Sequence, residues 1–93
     1  MGFTKDTAAD TAKHDLAKRL GIPETDISIQ KIEEKDFPDM SLGAPENGEM
    51  SAQMISSGWK IILSAGSKDY EYRADKYQVR LHGFNGKNYV VAS

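Results

Sequence analysis

Cysteine is missing from this sequence, and proline and tryptophan are scarce, with three and one among 93 residues. Without cysteine the chain can form no disulfide, no thiolate nucleophile and no cysteine-based zinc site. An excess of charge of one sign is missing too, because 12 basic residues stand against 14 acidic ones and the net charge is −2. Proteins that bind nucleic acid through its phosphates normally carry a basic excess, so we expect no nucleic acid partner.

Long apolar runs are also absent. The run Ile61-Ile62-Leu63 is far shorter than the roughly 20 apolar residues of a membrane-spanning helix, so we expect no membrane span. No signal peptide follows Met1-Gly2-Phe3, and these residues leave the compartment unknown. The length and the apolar share of 39% predict a single domain over 1–93, with 1–5 and roughly 84–93 as candidates for fraying.

Periodic apolar residues predict one helix over residues 6–20. The stripe is made of residues spaced three and four apart, namely Ala9, Ala12, Leu16 and Leu20. Gly21 can take the left-handed position that ends a helix, and Pro23 prevents its continuation. His14 falls outside the stripe, so we expect its side chain to be exposed.

Alternation of apolar and polar residues predicts strands after the helix, over 26–36, over 52–64 with a break at Ser56-Ser57-Gly58, and around 70–74 and 77–82. Ile32 is out of phase with Ile27 and Ile29, which indicates either a bulge near residues 30–31 or a strand that leaves the core. The Asn85-Gly86 turn precedes either a further short strand or a frayed tail. This order predicts an α+β fold, with the N-terminal helix packed on one face of a three- to four-stranded antiparallel meander sheet.

The same alternation assigns the two faces of the sheet. Four aromatic residues are expected on the helix side, namely Trp59, Tyr70, Tyr72 and Tyr77. Five polar residues are expected on an open face, namely Lys60, Glu71, Arg73, Gln78 and Arg80. On that face we expect Glu71 opposite Arg80, or Arg73 opposite Gln78.

Residues 37–49 form the most informative segment, because a loop this long in a small domain is uncommon and this one combines two prolines with Phe37, Met40 and Leu42. In one interpretation it is a rigid surface that offers polar side chains to a partner. In the other it is a packed connection, with Phe37 and Leu42 against the sheet and Asp39 capping a turn. With the neighbouring strand break, the candidate binding residues are Asp39, Ser41, Leu42, Asn47, Glu49, Ser56 and Ser57.

No catalytic, metal or cofactor site is predicted. The acidic residues from Glu33 to Glu49 lack the spacing of a calcium loop, and the two histidines accompany no nucleophile motif. The segments Phe37-Pro38-Asp39, Ser41-Leu42-Gly43 and Tyr70-Glu71-Tyr72-Arg73 occur here in a fixed order. In that string the chain resembles a small uncharacterised prokaryotic domain, often found in secreted proteins or lipoproteins, and the resemblance implies an extracytoplasmic location. Such relatives tend to carry Cys where Ala44 stands and Trp where Phe37 stands.

A looser similarity, carried by Gln53 to Gly58, is to cystatin-type inhibitors, which place a helix across an antiparallel sheet and wedge hairpin loops into a partner. The sequence therefore predicts a monomeric, non-enzymatic module that binds a protein or peptide through its long loop, with an inhibitor-like wedge as one version. The alternatives are a small-ligand-binding domain or minor enzyme with a pocket between helix and sheet, and a purely structural accessory domain.

Overall fold

The computed structural model describes residues 2–93, which form one α-helix and five strands. The elements follow the order α1 (Lys5–Leu20), a short 3-10 turn (Glu24–Asp26), β1 (Ile27–Phe37), β2 (Ser56–Ala65), β3 (Lys68–Asp75), β4 (Val79–Phe84) and β5 (Lys87–Ala92). The strands pair antiparallel in sequence order, β1-β2-β3-β4-β5. The predicted α+β meander is confirmed. The sheet has five strands, because the chain returns at Asn85-Gly86 and β5 pairs with β4.

Both ends of α1 are capped by local chemistry. Thr4 and Thr7 form a capping box, in which the Thr4 hydroxyl accepts the Thr7 N–H at 3.2 Å and the Thr7 hydroxyl accepts the Thr4 N–H at 2.8 Å. Gly21 takes the predicted left-handed conformation (φ 68°) and donates its N–H to the carbonyl of Ala17. The helix therefore begins one residue before the predicted position and ends where the sequence indicates.

The irregularity of β1 is a bulge. Ile29 lies opposite Leu63, but Lys31 lies opposite Ile62, so Gln30 is the extra residue. After the bulge Ile32 lies opposite Ile61, which restores an apolar residue to the helix side of the sheet. The bulge is thus the alternative that the structure selects.

The core lies between α1 and the sheet. Ala8, Ala12 and Leu16 are fully buried in one cluster with Tyr72, whose hydroxyl donates to Asp15 at 2.8 Å. Burial and the Asp15 carboxylate raise the pKa of Tyr72. The small alanine side chains let the helix lie directly on the sheet.

Two sequence predictions about the strands are wrong. Tyr77 is 59% exposed, because it belongs to the turn before β4 and its N–H donates to the Asp75 carboxylate at 2.8 Å. Residues 52–55 are not part of β2, which starts at Ser56 and runs unbroken through Gly58. For the C-terminal residues the structure selects the further strand over the frayed tail, and the Arg19 guanidinium lies 4.4 Å from the ring centre of Tyr89.

None of the helices in the described part of the chain has the length and apolar content needed to cross a membrane.

Candidate interaction site

The connection between β1 and β2, residues 38–55, lies across the sheet face opposite the helix, and we call it the docked loop. It is hydrogen-bonded by side chains of β3, β4, β5 and the turn before β4, namely Arg73, Arg80, Asn88 and Gln78. The sequence predicted this face to be open. That prediction is wrong, because the loop covers it and leaves Arg80 only 4% exposed.

The loop starts with a tight turn that Asp39 organises. One carboxylate oxygen, Oδ1, accepts the Ser41 hydroxyl at 2.6 Å, the Ser41 N–H at 3.0 Å and the Gly43 N–H at 3.1 Å. The Ser41 hydroxyl and then the Gly43 N–H hold the pKa of Asp39 below its ordinary value. Phe37 and Leu42 on either side are fully buried, so the interpretation of a packed connection is correct for this part of the loop.

Side chains of the sheet satisfy the carbonyl groups of the loop. Gln78 donates to the Met40 carbonyl at 2.5 Å, and Arg80 donates to the Ala44 carbonyl at 3.1 Å. Arg73 donates from one nitrogen to two successive carbonyls, those of Leu42 at 3.0 Å and Gly43 at 3.1 Å. Backbone that crosses a buried surface needs such partners, and they fix the loop in one shape.

Leu42 adopts a left-handed conformation, with φ 60°, and is followed by Gly43 with φ 66°. A bulky residue in this region is strained, and such strain persists only where the surroundings impose it. Here the two conformations direct both carbonyls toward Arg73 while the Leu42 side chain is fully buried.

Two arginines face each other beneath the loop, since Arg73 and Arg80 are directly opposite in the β3–β4 register. The predicted pairs, Glu71 opposite Arg80 and Arg73 opposite Gln78, are wrong, because the register places Glu71 opposite His82. Each arginine has its own carboxylate. Arg73 donates to Glu71 at 2.7 Å, and Arg80 donates two hydrogen bonds to the Glu49 carboxylate, at 2.5 and 2.7 Å. Arg80 and the N–H of Glu46 lower the pKa of Glu49 to about 2.

The outer end of the loop reaches the last strand. The Val90 N–H donates to the Glu46 carboxylate at 2.9 Å, and Asn88 donates to the Pro45 carbonyl at 2.9 Å. The loop therefore covers part of the β5 edge of the sheet.

The seven candidate binding residues do not form one exposed surface. Three of them, Ser41, Leu42 and Ser56, are buried, and Ser56 also lines a surface cleft described below. The carboxylates of Asp39 and Glu49 are occupied by the bonds described above. Asn47 and Ser57 are exposed, and Ser57 donates to Asp36 at 2.6 Å. A binding role for the seven candidate residues stays a prediction.

Residues of the docked loop and of the turn before β4 form an exposed apolar surface that the sequence did not predict. Met54, Ile55 and Tyr77 are 63%, 74% and 59% exposed, and with Met40 they line one cleft, which we call the apolar cleft. Alternation assigned Tyr77 to the core. The signal against that assignment was Asp75, an acceptor suited to the turn in which Tyr77 stands.

A second depression lies next to β1 and is lined by Glu34, Lys35, Asp36, Ser57, Gly58 and Trp59. We call it the acidic depression. Ser57 lines both this depression and the apolar cleft, so the two surfaces are continuous. Within residues 2–93 no group of three or more histidine and carboxylate side chains is arranged to hold a metal ion.

The family model described as "Domain of unknown function (DUF8738)" matches residues 9–82. The matched span includes most of the helix, β1 to β3, most of β4 and the entire docked loop. No curated protein and no solved structure matches the chain significantly. The resemblance to an uncharacterised small domain is thus supported, whereas a prokaryotic origin and the similarity to cystatin-type inhibitors stay predictions.

Proposed function

Because the chain belongs to the DUF8738 family, whose function is unknown, we propose its function from the geometry: it is a non-enzymatic module that binds a protein or peptide. The observation that carries the proposal is the apolar cleft. Isolated exposed apolar residues are ordinary on protein surfaces, but adjacent ones on a small domain often mark an interaction site.

Hydrogen bonds hold part of the lining of the apolar cleft in place, at Ser56, Tyr77 and Met40. Asp75 is 1% exposed and accepts the Ser56 hydroxyl at 2.5 Å and the Tyr77 N–H at 2.8 Å. The Met40 carbonyl is held by Gln78 at 2.5 Å. A surface fixed before binding loses little conformational entropy when a partner arrives, which favours recognition. In this proposal the docked loop is the scaffold of the site, and its buried residues contribute shape.

The alternative, a small-ligand pocket between helix and sheet, has less support. Ala8, Ala12 and Leu16 are fully buried against the sheet cluster that contains Tyr72, so this part of the helix packs directly on the sheet. An inhibitor-like version of the binding module would contact its partner through the apolar cleft. Identification of the partner would show whether the module acts as an inhibitor.

The test replaces Ile55 and Tyr77 by Ser in a tagged protein and compares it with wild type in a crosslinking pull-down from the source organism. Partners that are identified by mass spectrometry are then purified and titrated against both proteins. We expect the double variant to bind a purified partner at least about tenfold more weakly, which corresponds to roughly 1.4 kcal/mol.

The matched control is Met50→Ser, because Met50 is 96% exposed and does not line the apolar cleft. This variant should bind like wild type. Equal affinity of wild type and the Ile55/Tyr77 variant for every purified partner would contradict the proposal.

A further inference from the structure

The outer edge of β1 is the starting observation. β1 pairs with β2 on one side, and within residues 2–93 no strand pairs with its other side. Alternate residues of an edge strand direct their N–H and C=O groups away from the sheet, where they can pair with an added strand. At 11 residues β1 is long for an edge, and its burial pattern shows exposed or half-buried residues everywhere except at Ile27 and Phe37.

The two edges of the sheet differ. At β5, Glu46 accepts the N–H of Val90 and Asn88 donates to the Pro45 carbonyl, so the docked loop occupies part of that edge. The other side-chain hydrogen bonds to the loop come from Arg73 of β3, from Gln78 in the turn before β4 and from Arg80 of β4. Within residues 2–93, none of these hydrogen bonds goes to the outer edge of β1.

The two faces along this edge carry different charges. On the helix side, Glu34 lies opposite Trp59 and Asp36 lies opposite Ser57, which gives the acidic depression two carboxylates and an aromatic ring. Lys31 and Lys35 of β1 alternate with these carboxylates toward the other face, and Lys35 also lines the acidic depression. There Lys31 pairs with Glu33 at 3.4 Å, and Lys35 lies 5.9 Å from the ring centre of Phe37.

We propose that the β1 edge binds an extended peptide segment that adds a sixth strand and carries Lys or Arg at two alternate positions. This inference rests on the proposed function and names the class of its partner. Side chains two residues apart on a strand lie on the same face, at the spacing of Glu34 and Asp36. Trp59 lines the same depression, and an aromatic ring can attract a cation. Main-chain bonds supply the pairing and the acidic depression selects the basic side chains.

The test uses an acetylated and amidated peptide, Thr-Lys-Thr-Lys-Thr-Val-Thr, titrated into isotope-labelled protein and followed by NMR. We expect shifts at alternate backbone amides of β1 and at the Trp59 indole. In the matched peptide the two Lys are replaced by Glu, and it should bind at least about tenfold more weakly. Two further peptides are methylated on alternate backbone nitrogens. Methylation of the amides that face β1 should abolish binding, because those N–H groups form the main-chain bonds. Methylation of the amides that face away from β1 should preserve binding.

Protein variants provide the second arm. Glu34→Lys should weaken binding about tenfold, whereas Glu33→Lys, with the same change in charge on the opposite face, should leave it within about threefold of wild type. Equal binding by these variants, equal binding by both methylated peptides, or an absence of shifts in β1 would overturn the proposal. Concentration-dependent shifts of β1 without peptide would identify a second copy as the occupant and would also overturn it.

The outcomes separate this inference from the proposed function. Loss of partner binding in the Ile55/Tyr77 variant without any peptide-induced shift in β1 would leave the apolar cleft as the site and remove the edge. Shifts in β1 together with unchanged partner binding by the Ile55/Tyr77 variant would support the edge and remove the apolar cleft.

Discussion

Arg80 shows how a charged residue becomes part of the interior. Its Nε donates to Gln78 at 2.7 Å, and its two terminal nitrogens hold the Ala44 carbonyl and both oxygens of Glu49. A buried charge is costly unless it is paired and hydrogen-bonded, and the planar guanidinium can satisfy several acceptors at once. Within the described chain no buried side-chain nitrogen or oxygen lacks a partner.

At this scale we predict that Arg80→Met destabilises the protein by roughly 2–4 kcal/mol, since it removes the guanidinium donors from the Ala44 carbonyl, the Gln78 amide oxygen and the Glu49 carboxylate. Arg80→Lys should restore only part of the lost stability, because an ammonium cannot form the two parallel hydrogen bonds that the guanidinium donates to Glu49. Urea unfolding at neutral pH measures both variants.

The control is Lys31→Met. Its ammonium forms a surface ion pair of 3.4 Å with Glu33, and its side chain is 60% exposed. We expect a loss below about 0.5 kcal/mol, as is usual for such pairs. A similar small loss for Arg80→Met would show that the docked loop does not depend on this arginine.

At the scale of elements, the contact between β2 and β3 depends on Gly58. A Cβ atom placed there would collide with the Ala74 carbonyl oxygen and would lie 2.9 Å from the Cα of Asp75. We predict that Gly58→Ala lowers the free energy of unfolding by at least about 1–3 kcal/mol, because the two strands must separate or shift. Urea unfolding measures this loss.

The comparison is Gly66, a turn residue with φ 63° and open space around the site of a Cβ. Gly66→Ala should cost roughly 1–2 kcal/mol for conformational reasons, and Gly66→Asn should recover part of it, since Asn tolerates the left-handed region. Gly58→Asn should show no such recovery. Recovery by Asn at both positions would contradict the steric explanation for Gly58.

The elements also show which parts of the fold the sequence predicts. The capped helix, the bulge in β1 and the alternation of β2 to β4 follow from local periodicity and turn chemistry, which a single sequence contains. The docked loop does not follow, because alternation assigns Arg73 and Arg80 to solvent. Their burial depends on carbonyls some 30 to 40 residues away, such as those of Leu42 and Ala44. The apolar cleft was missed for a related reason, since it depends on the turn that removes Tyr77 from β4.

At the scale of the whole molecule, the docked loop leaves β1, crosses the sheet and makes hydrogen bonds with β5 before it continues into β2. Its attachment to the sheet therefore contributes to overall stability. Glu49 is the charged link in that attachment, and Arg80 lowers its pKa from an ordinary value near 4.5 to about 2. A carboxylate with a lowered pKa in the folded state contributes stability above its unfolded pKa, and this contribution is lost as the pH falls toward the folded value.

We therefore predict that wild type is more stable than Glu49→Gln at pH 7 and that the difference shrinks between about pH 5 and about pH 2, where the wild-type carboxylate becomes protonated. The measurement is the urea midpoint of both proteins across this range. Burial also lowers the pKa of His82, which destabilises the folded protein in acid. That effect is common to both proteins and cancels in the comparison. A constant difference between the midpoints from pH 7 to pH 2 would show that the Glu49 charge does not hold the loop on the sheet.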